Sequence, residues 1–487
     1  MSGNQLLLAV LLVPLAGSVL VMLARLGGRK APGYAALGLT LATLAIGVSL
    51  LTRVAHRGQV AVHVPWLRIF GAAFSLRADA ISIVLVLVIA TIASLAVAYS
   101  FGYYQGKPRS ATFYALVTIF LGGMIGTAIA AETILFYLFW EMMLIPSYAL
   151  VAFWGKGKFA TQSGLKYFIY THLGAVAMLG AILWIYSATG VTDIPAIKRA
   201  ISVLPEDTLT ILAGLFIFAF AVKMAIFPFH SWLPGAYDDG PLPVTAIISG
   251  AMMSAGIYGM IRFPFTLFPP AIVLKFQLPL MVLAVLTQFY GGVMALTSKR
   301  MRRLLAYSSI SQMGYVLFGI FSANAAGLTG SFFHLVNHAL IKSLLFMAIG
   351  SVITRTERQK ISELGGLAAN LPVTTWGCVV GALAIAGAPP LSGFQSEWLI
   401  FAGGFATPYR VLGILALAAG VLTAAYALRL VRRIFFGALD PSLAGTHESP
   451  GWMLLPIVAF SAMIVLIGIL PGPVVGWIGN ALRGLLT

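Results

Sequence analysis

The chain has 487 residues, of which 60% are hydrophobic and only 9% charged, with a mean hydropathy of +0.98. No soluble domain keeps so much apolar surface in water, so the composition excludes a cytosolic globular protein and makes a bilayer the solvent. The formal charge of +17 is distributed over short connections rather than gathered in one block, which reads as membrane topology and not as nucleic-acid binding.

A membrane span needs about 20 apolar residues, and about fourteen such runs follow one another along the chain. They cover 5–26, 33–52, 78–101, 110–130, 132–153, 160–188, 208–230, 242–265, 276–297, 302–322, 327–353, 372–400, 407–435 and 452–470, with a short amphipathic tail after Pro473. The expected fold class is all-α integral membrane, a single domain over 1–487. The first run, Gln5 to Leu26, lacks a basic segment before it and a small-residue cleavage site after it, so it is read as a retained helix.

With the N-terminus outside, one set of connections holds Arg25, Arg29, Lys30, Lys107, Arg109, Lys156, Lys158, Lys299, Arg300, Arg302, Arg303, Arg355, Arg358, Lys360, Arg429, Arg432 and Arg433. The positive-inside rule favours that orientation, and an even number of spans returns the C-terminus outside. The single cysteine, Cys378, excludes an intrachain disulfide and a cysteine-ligated iron–sulfur cluster. Redox chemistry belongs to another chain, and neither cofactor nor metal is expected here.

Two runs are interrupted midway. The seventh reads Phe220-Ala-Val-Lys-Met-Ala-Ile-Phe-Pro-Phe-His230 and continues through Pro234; the twelfth reads Gly387-Ala-Pro-Pro-Leu-Ser-Gly-Phe-Gln-Ser-Glu397. Proline removes a backbone donor and clashes with the preceding turn, so both helices should be discontinuous. The breaks fall at corresponding places in two five-helix stretches, 110–265 and 274–435, as in transporters built from inverted repeats.

An ionisable group in hydrocarbon costs about a few kcal/mol or more and needs a polar interior and a partner. Glu141 stands mid-run with no compensating charge nearby in sequence, and Lys223 lies just before the first break. The two are expected to form a coupled pair, each keeping the other ionised, from which the lysine passes its proton on when they separate. The competing reading is a static ion pair, a costly way to gain stability.

Lys166, nearer the inner end of its run, either modulates Lys223 or snorkels to the interface. His334, His338 and Lys342 recur every fourth residue, which places them on one helical face as a proton relay. His-x-x-x-His also suits zinc, but the H-E-x-x-H glutamate and a third ligand are absent. Glu397, after the second break, is a candidate outlet in the region that corresponds to Lys223. Asp238 and Asp239 are read as solvated acids of an inner turn.

Three motifs resemble a known family: F-W-E-x-x-L-I-P around Glu141, K-x-x-x-F-P-F-H-x-W-L-P from Lys223, and L-L-A-Y-S-S-I-S-Q-M-G-Y from Leu304 to Tyr315. They resemble the antiporter-like subunits of respiratory complex I, over about residues 70 to 435. The same family includes the large subunits of Mrp-type cation/proton antiporters and the membrane arms of energy-converting hydrogenases. Glu397 in place of a lysine resembles the M type. Ser254 replaces the helix-eight lysine of that type, and the His334–His338–Lys342 stripe is closer to the L-type and Mrp patterns.

The resemblance implies a proton-translocating subunit in a bacterial or archaeal cytoplasmic membrane, coupled to NADH:quinone electron transfer in partner chains. Glu141 would be the coupling charge, Lys223 the switch, Lys342 with His334 and His338 the relay, and Glu397 the outlet, with Lys166 and His230 as further relay groups. It also implies homologous L- and N-type neighbours, a peripheral arm carrying NAD, FMN and iron–sulfur clusters, quinone, and lipids. The alternatives are an antiporter or hydrogenase subunit, or a passive membrane spacer that leaves the buried charges unexplained.

Overall fold

A computed structural model describes residues 1–67, 72–104 and 111–486. Lys107 and Arg109, assigned above to an inner connection, lie outside the described residues. In chain order the elements are α1 (Gly3–Leu23), α2 (Ala31–Arg57), β1 (Gln59–Leu67), β2 (Ala72–Asp79), α3 (Ala80–Tyr103), α4 (Ala111–Ile129), α5 (Thr133–Trp154), α6 (Ala160–Thr189) and α7 (Ile194–Ala200). There follow α8 (Glu206–Lys223), α9 (Leu233–Asp239), α10 (Leu242–Ile247), α11 (Met253–Leu267), α12 (Pro270–Lys275), α13 (Gln277–Thr297), α14 (Met301–Phe321) and α15 (Ala325–Thr356). The last are α16 (Pro372–Ile385), α17 (Ser392–Phe405), α18 (Arg410–Phe435), α19 (Gly451–Ile469) and α20 (Gly472–Leu486).

Among the described residues, 12 helices are long and apolar enough to cross a membrane, against about fourteen expected from a span length of about 20 residues. The difference is the two interrupted runs. Over 208–230 the helix α8 is 18 residues long and carries Glu206, Asp207 and Lys223. Over 372–400 the chain divides into α16 and α17, each of 14 residues.

The helical membrane class holds, with one added element, an antiparallel hairpin between β1 and β2 in which Gln59 faces Asp79 and Val62 faces Leu76. Its first strand alternates: Val60 and Val62 are buried while Ala61 and His63 are exposed, the period of a half-buried strand. Val60 packs on α1, where a Cβ added at Gly3 would lie 3.2 Å from its side chain.

The two breaks have the same backbone course. After Lys223 the chain turns through Ala225 at φ +54° and a cis Phe227–Pro228 bond; after Ile385 it turns through Gly387 at φ +67° and a cis Pro389–Pro390 bond. At the first break Trp232 Nε1 donates to the Val222 carbonyl at 3.1 Å, and the Phe227 amide donates to Thr287 Oγ1 at 3.3 Å. Backbone groups released by the break are thereby satisfied away from lipid. Lys223 precedes its break and Glu397 follows the other, within α17, so Glu397 does not occupy the place of Lys223. Ile385 does.

Gly387 lies against Glu397: a Cβ there would collide with the carboxylate. The carboxylate ends a flexible side chain and can shift, so the cost of a Cβ comes mainly from the left-handed backbone at φ +67°. Gly387→Ala is expected to destabilise the protein by about 1–2 kcal/mol, read as a lower thermal unfolding midpoint in detergent.

The innermost helices are α10 with α11, α14 and α15, whose hydrophobic windows are 94% or more buried. A π turn, Ile248–Met252, joins α10 to α11. Turns of that kind inside a helix re-aim the residues after them, here Met253 and Ser254.

Candidate functional site

Lys223 ends α8 with its side chain 1% exposed. Among the described residues its ammonium has no hydrogen-bond partner, and it lies 5.3 Å from the Trp140 ring and 5.9 Å from that of Tyr167. Tyr167 is fixed by a 2.7 Å hydrogen bond with Ser147 Oγ and donates to Met252 Sδ at 2.9 Å. Gly256 allows the lysine stem to pass, since a Cβ there would be 3.3 Å from Lys223 Cγ. Ring faces offer a cation about 0.5–2 kcal/mol, less than the several kcal/mol that burial costs it. A charge held so poorly is suited to giving up its proton.

Glu141 and Lys223 make no direct ion pair among the described residues, although the Glu141 charge is felt at the ammonium. Glu141 faces the partly exposed seam between α5 and α6, where its carboxylate lies 3.3 Å from His172 Nδ1, with 16% of the glutamate and 41% of the histidine side chain exposed. The preceding residue, Trp140, turns inward and takes the lysine instead. His172 stands in the sequence after Tyr167 and shares its helix, but only the packing of α6 on α5 brings it to Glu141.

Lys166 is on the exposed side of α6 with its ammonium 5.7 Å from the Tyr170 ring, the disposition of a snorkelling lysine rather than of a neighbour to Lys223. His230 lies in the first break, 8% exposed, with Nε2 2.9 Å from the Tyr290 hydroxyl.

The second cluster is carried by α15, where His334, His338 and Lys342 are all buried on one face. Lys342 donates to the Leu305 carbonyl at 3.0 Å and to Ser308 Oγ; both acceptors come from the L-L-A-Y-S-S motif of α14. The two histidine rings are 6.3 Å apart. His334 Nδ1 is 3.0 Å from Ser396 Oγ, beside Glu397. Asn337 holds the same place, donating to the Ser392 carbonyl at 2.8 Å and to Ser396 Oγ at 3.0 Å.

The structure thus places Lys342 and both histidines on one face of α15 and sets His334 against Ser396 of α17, the helix that also carries Glu397, whose carboxylate lies against Gly387. Asn337 and Ser396 are members that the sequence reading did not single out. Between the clusters, Ser254 donates to the Gly250 carbonyl at 2.7 Å, and Ser343 ties α15 to the Ala246 carbonyl at 3.2 Å. The side-chain amides of Gln288 and Gln312 are also buried, further polar groups in the same interior. Among the described residues no group of three or more His, Cys, Asp and Glu side chains gathers as a metal would require.

At the C-terminal end of α9 the two acids are not solvated as expected. Asp238 is 4% exposed and lies between Arg300 at 3.2 Å and Arg303 at 2.9 Å, while Asp239 accepts from Ser163 Oγ at 2.6 Å. Docking of α14 on α9 buries the turn and makes it a clasp.

A second ion pair links the hairpin to α11. Asp79 caps α3, accepting from the Ile81 and Ser82 amides at 3.2 and 3.0 Å. It meets Arg262 at 2.6 Å and Arg77 at 3.9 Å. Burial pushes the Asp79 carboxyl up, but the Arg262 charge, the Ser82 amide and Arg77 together outweigh it and hold the group below the usual range.

Residues 130–423 match the family described as NADH:quinone oxidoreductase/Mrp antiporter, TM, and residues 66–114 match the NADH-Ubiquinone oxidoreductase (complex I), chain 5 N-terminus. The chain is 31% identical to the F(420)H(2) dehydrogenase subunit M of Methanosarcina mazei, over 97% of this chain and 96% of that one. It is likewise 31% identical to the NADH-quinone oxidoreductase subunit M of Escherichia coli, over 96% and 94%. Among solved structures it superposes on a chain of respiratory complex I from Thermus thermophilus with a TM-score of 0.88 and 25% identity, covering 99% of both.

Proposed function

The chain belongs to the NADH:quinone oxidoreductase/Mrp antiporter transmembrane family, and on that premise we propose that it is a proton-translocating membrane-arm subunit of an NADH:quinone oxidoreductase, of the M type. The observation that carries this reading is Lys223, a buried lysine without a hydrogen-bonded partner at a helix break, followed across the core by Lys342, two histidines and Glu397. A passive spacer has no use for such groups, each of which costs about a few kcal/mol or more to place in hydrocarbon.

In the proposed cycle Glu141, paired with His172 on the partly exposed seam, responds to charge in a neighbouring subunit. A change there alters the field at Lys223, whose proton moves through the polar interior toward Lys342, His338 and His334. Ser396 delivers it to Glu397. His230 and Lys166 are auxiliary at most, the former hydrogen-bonded to Tyr290 and the latter on the exposed side of its helix. The two five-helix stretches, 110–265 and 274–435, act as inverted halves, the termini lie outside a bacterial or archaeal cytoplasmic membrane, and the redox cofactors reside in a peripheral arm. The matching course of the two breaks supports the halves.

The test is proton uptake per electron in the reconstituted complex with Glu141→Gln. The expected result is a lower ratio, or a lower rate of both processes, with His172 left unpaired. Unchanged stoichiometry and rate overturn the coupling role. Translocation that requires sodium would instead favour a cation/proton antiporter.

A further inference from the structure

The exposed face of α18 is a continuous stripe of Val411, Ile414, Val421 and Leu428, each more than half exposed. Residues at this spacing lie on one side of a helix, and the next members of the series, Arg432 and Phe436, continue that side past the apolar segment. There the helix end borders a cavity of about 610 Å³ lined by Ala425, Leu428, Arg429, Arg432, Arg433 and Phe436.

Three guanidinium groups meet at this cavity, and among the described residues none of them forms an ion pair with an acid. Arg429 is nevertheless held in place, since it donates to the Leu296 and Ser298 carbonyls at the end of α13, at 2.5 and 2.9 Å. Arg432 and Arg433 stay exposed. The negative end of the α18 dipole offsets part of the like-charge repulsion, and what the site lacks is an anion.

We propose that this end of α18 binds the phosphate of an anionic phospholipid, whose acyl chains lie along the Val411–Leu428 stripe. The guanidinium fork matches phosphate oxygens two at a time. An apolar stripe leading into basic side chains at a membrane boundary places headgroup and chains together, a combination that a free anion does not use.

The complex is delipidated, returned to vesicles, and titrated with diphosphatidylglycerol or with phosphatidylcholine, with retained lipid counted by native mass spectrometry. The variant is Arg432→Gln with Arg433→Gln, which leaves the Arg429 anchor intact and touches no group of the proton route. The wild type is expected to prefer the anionic lipid about tenfold or more, from roughly one favourable increment per arginine, and the double variant to lose that preference. Thermal midpoint and subunit composition should stay unchanged. Equal retention by both proteins overturns the proposal. So does displacement by 10 mM inorganic phosphate, taken here as about the concentration that would saturate a simple anion site. Loss of a subunit from the double variant overturns it too, because the arginines would then hold a protein partner.

Discussion

With methionine in place of Lys223, proton translocation by the assembled complex is expected to fall by about a hundredfold, the usual worth of a group that hands on a proton. Methionine fills nearly the same volume between Trp140, Tyr167 and Gly256 and so preserves the packing. Stability should therefore hold or rise, since a buried cation without a hydrogen bond is removed. That separation of effects distinguishes transfer from structure. Lys223→Arg sharpens it, because arginine keeps the charge but does not release its proton. A structural charge would be rescued by arginine, whereas a proton-bearing one would not. Membrane-potential or vesicle-acidification measurements on the two variants decide the matter, and full pumping by either would sink the role assigned to Lys223.

The ionisable groups of the route were legible because charge inside apolar runs is rare and costly wherever it falls. Periodicity sufficed for His334, His338 and Lys342, which share one helix. Glu141 was recognisable too, but its partner was not: α5 and α6 are apolar on nearly every face, so no pattern told which side of α5 meets Lys223 and which meets His172. For Lys166 the sequence leaves two readings open, and only the packing of α6 puts the side chain on the exposed face. Proline and glycine marked both breaks, yet the side of the break on which each charge stands follows from the backbone course through Ala225 and Gly387.

The hairpin shows in the alternation of Val60, Ala61, Val62 and His63, a signal weaker than that of the neighbouring helical runs. Asp238 read as a turn residue because Asp-Gly-Pro is turn chemistry. Only the docking of α14 buries it against Arg300 and Arg303. Ser396 and Asn337 carried no signal beyond being polar, and their part depends on α17 packing against α15.

The largest stability effect is expected at Asp79 and Arg262, residues far apart in sequence that meet at 2.6 Å. Asp79→Ala leaves the Arg262 guanidinium, 10% exposed, without its acid, and also removes the cap of α3. Breaking a buried pair from one side costs about 3–5 kcal/mol, and losing a cap adds about 1 kcal/mol. Arg262→Leu should cost less, because Arg77 and the two amides still serve the carboxylate. Asp79→Asn with Arg262→Leu keeps the cap, leaves only the partly exposed Arg77 without its acid, and is expected to recover much of the loss. Unfolding midpoints in detergent for the singles and the double give the cycle. Because the carboxyl is held below its usual range, its contribution is complete above the unfolded value near 4 and is lost as pH falls through the lower folded value. The wild type should therefore lose stability only in that acid window, and the double variant should not. A double variant as unstable as Asp79→Ala would mean that the hairpin is held to α11 by something other than this pair.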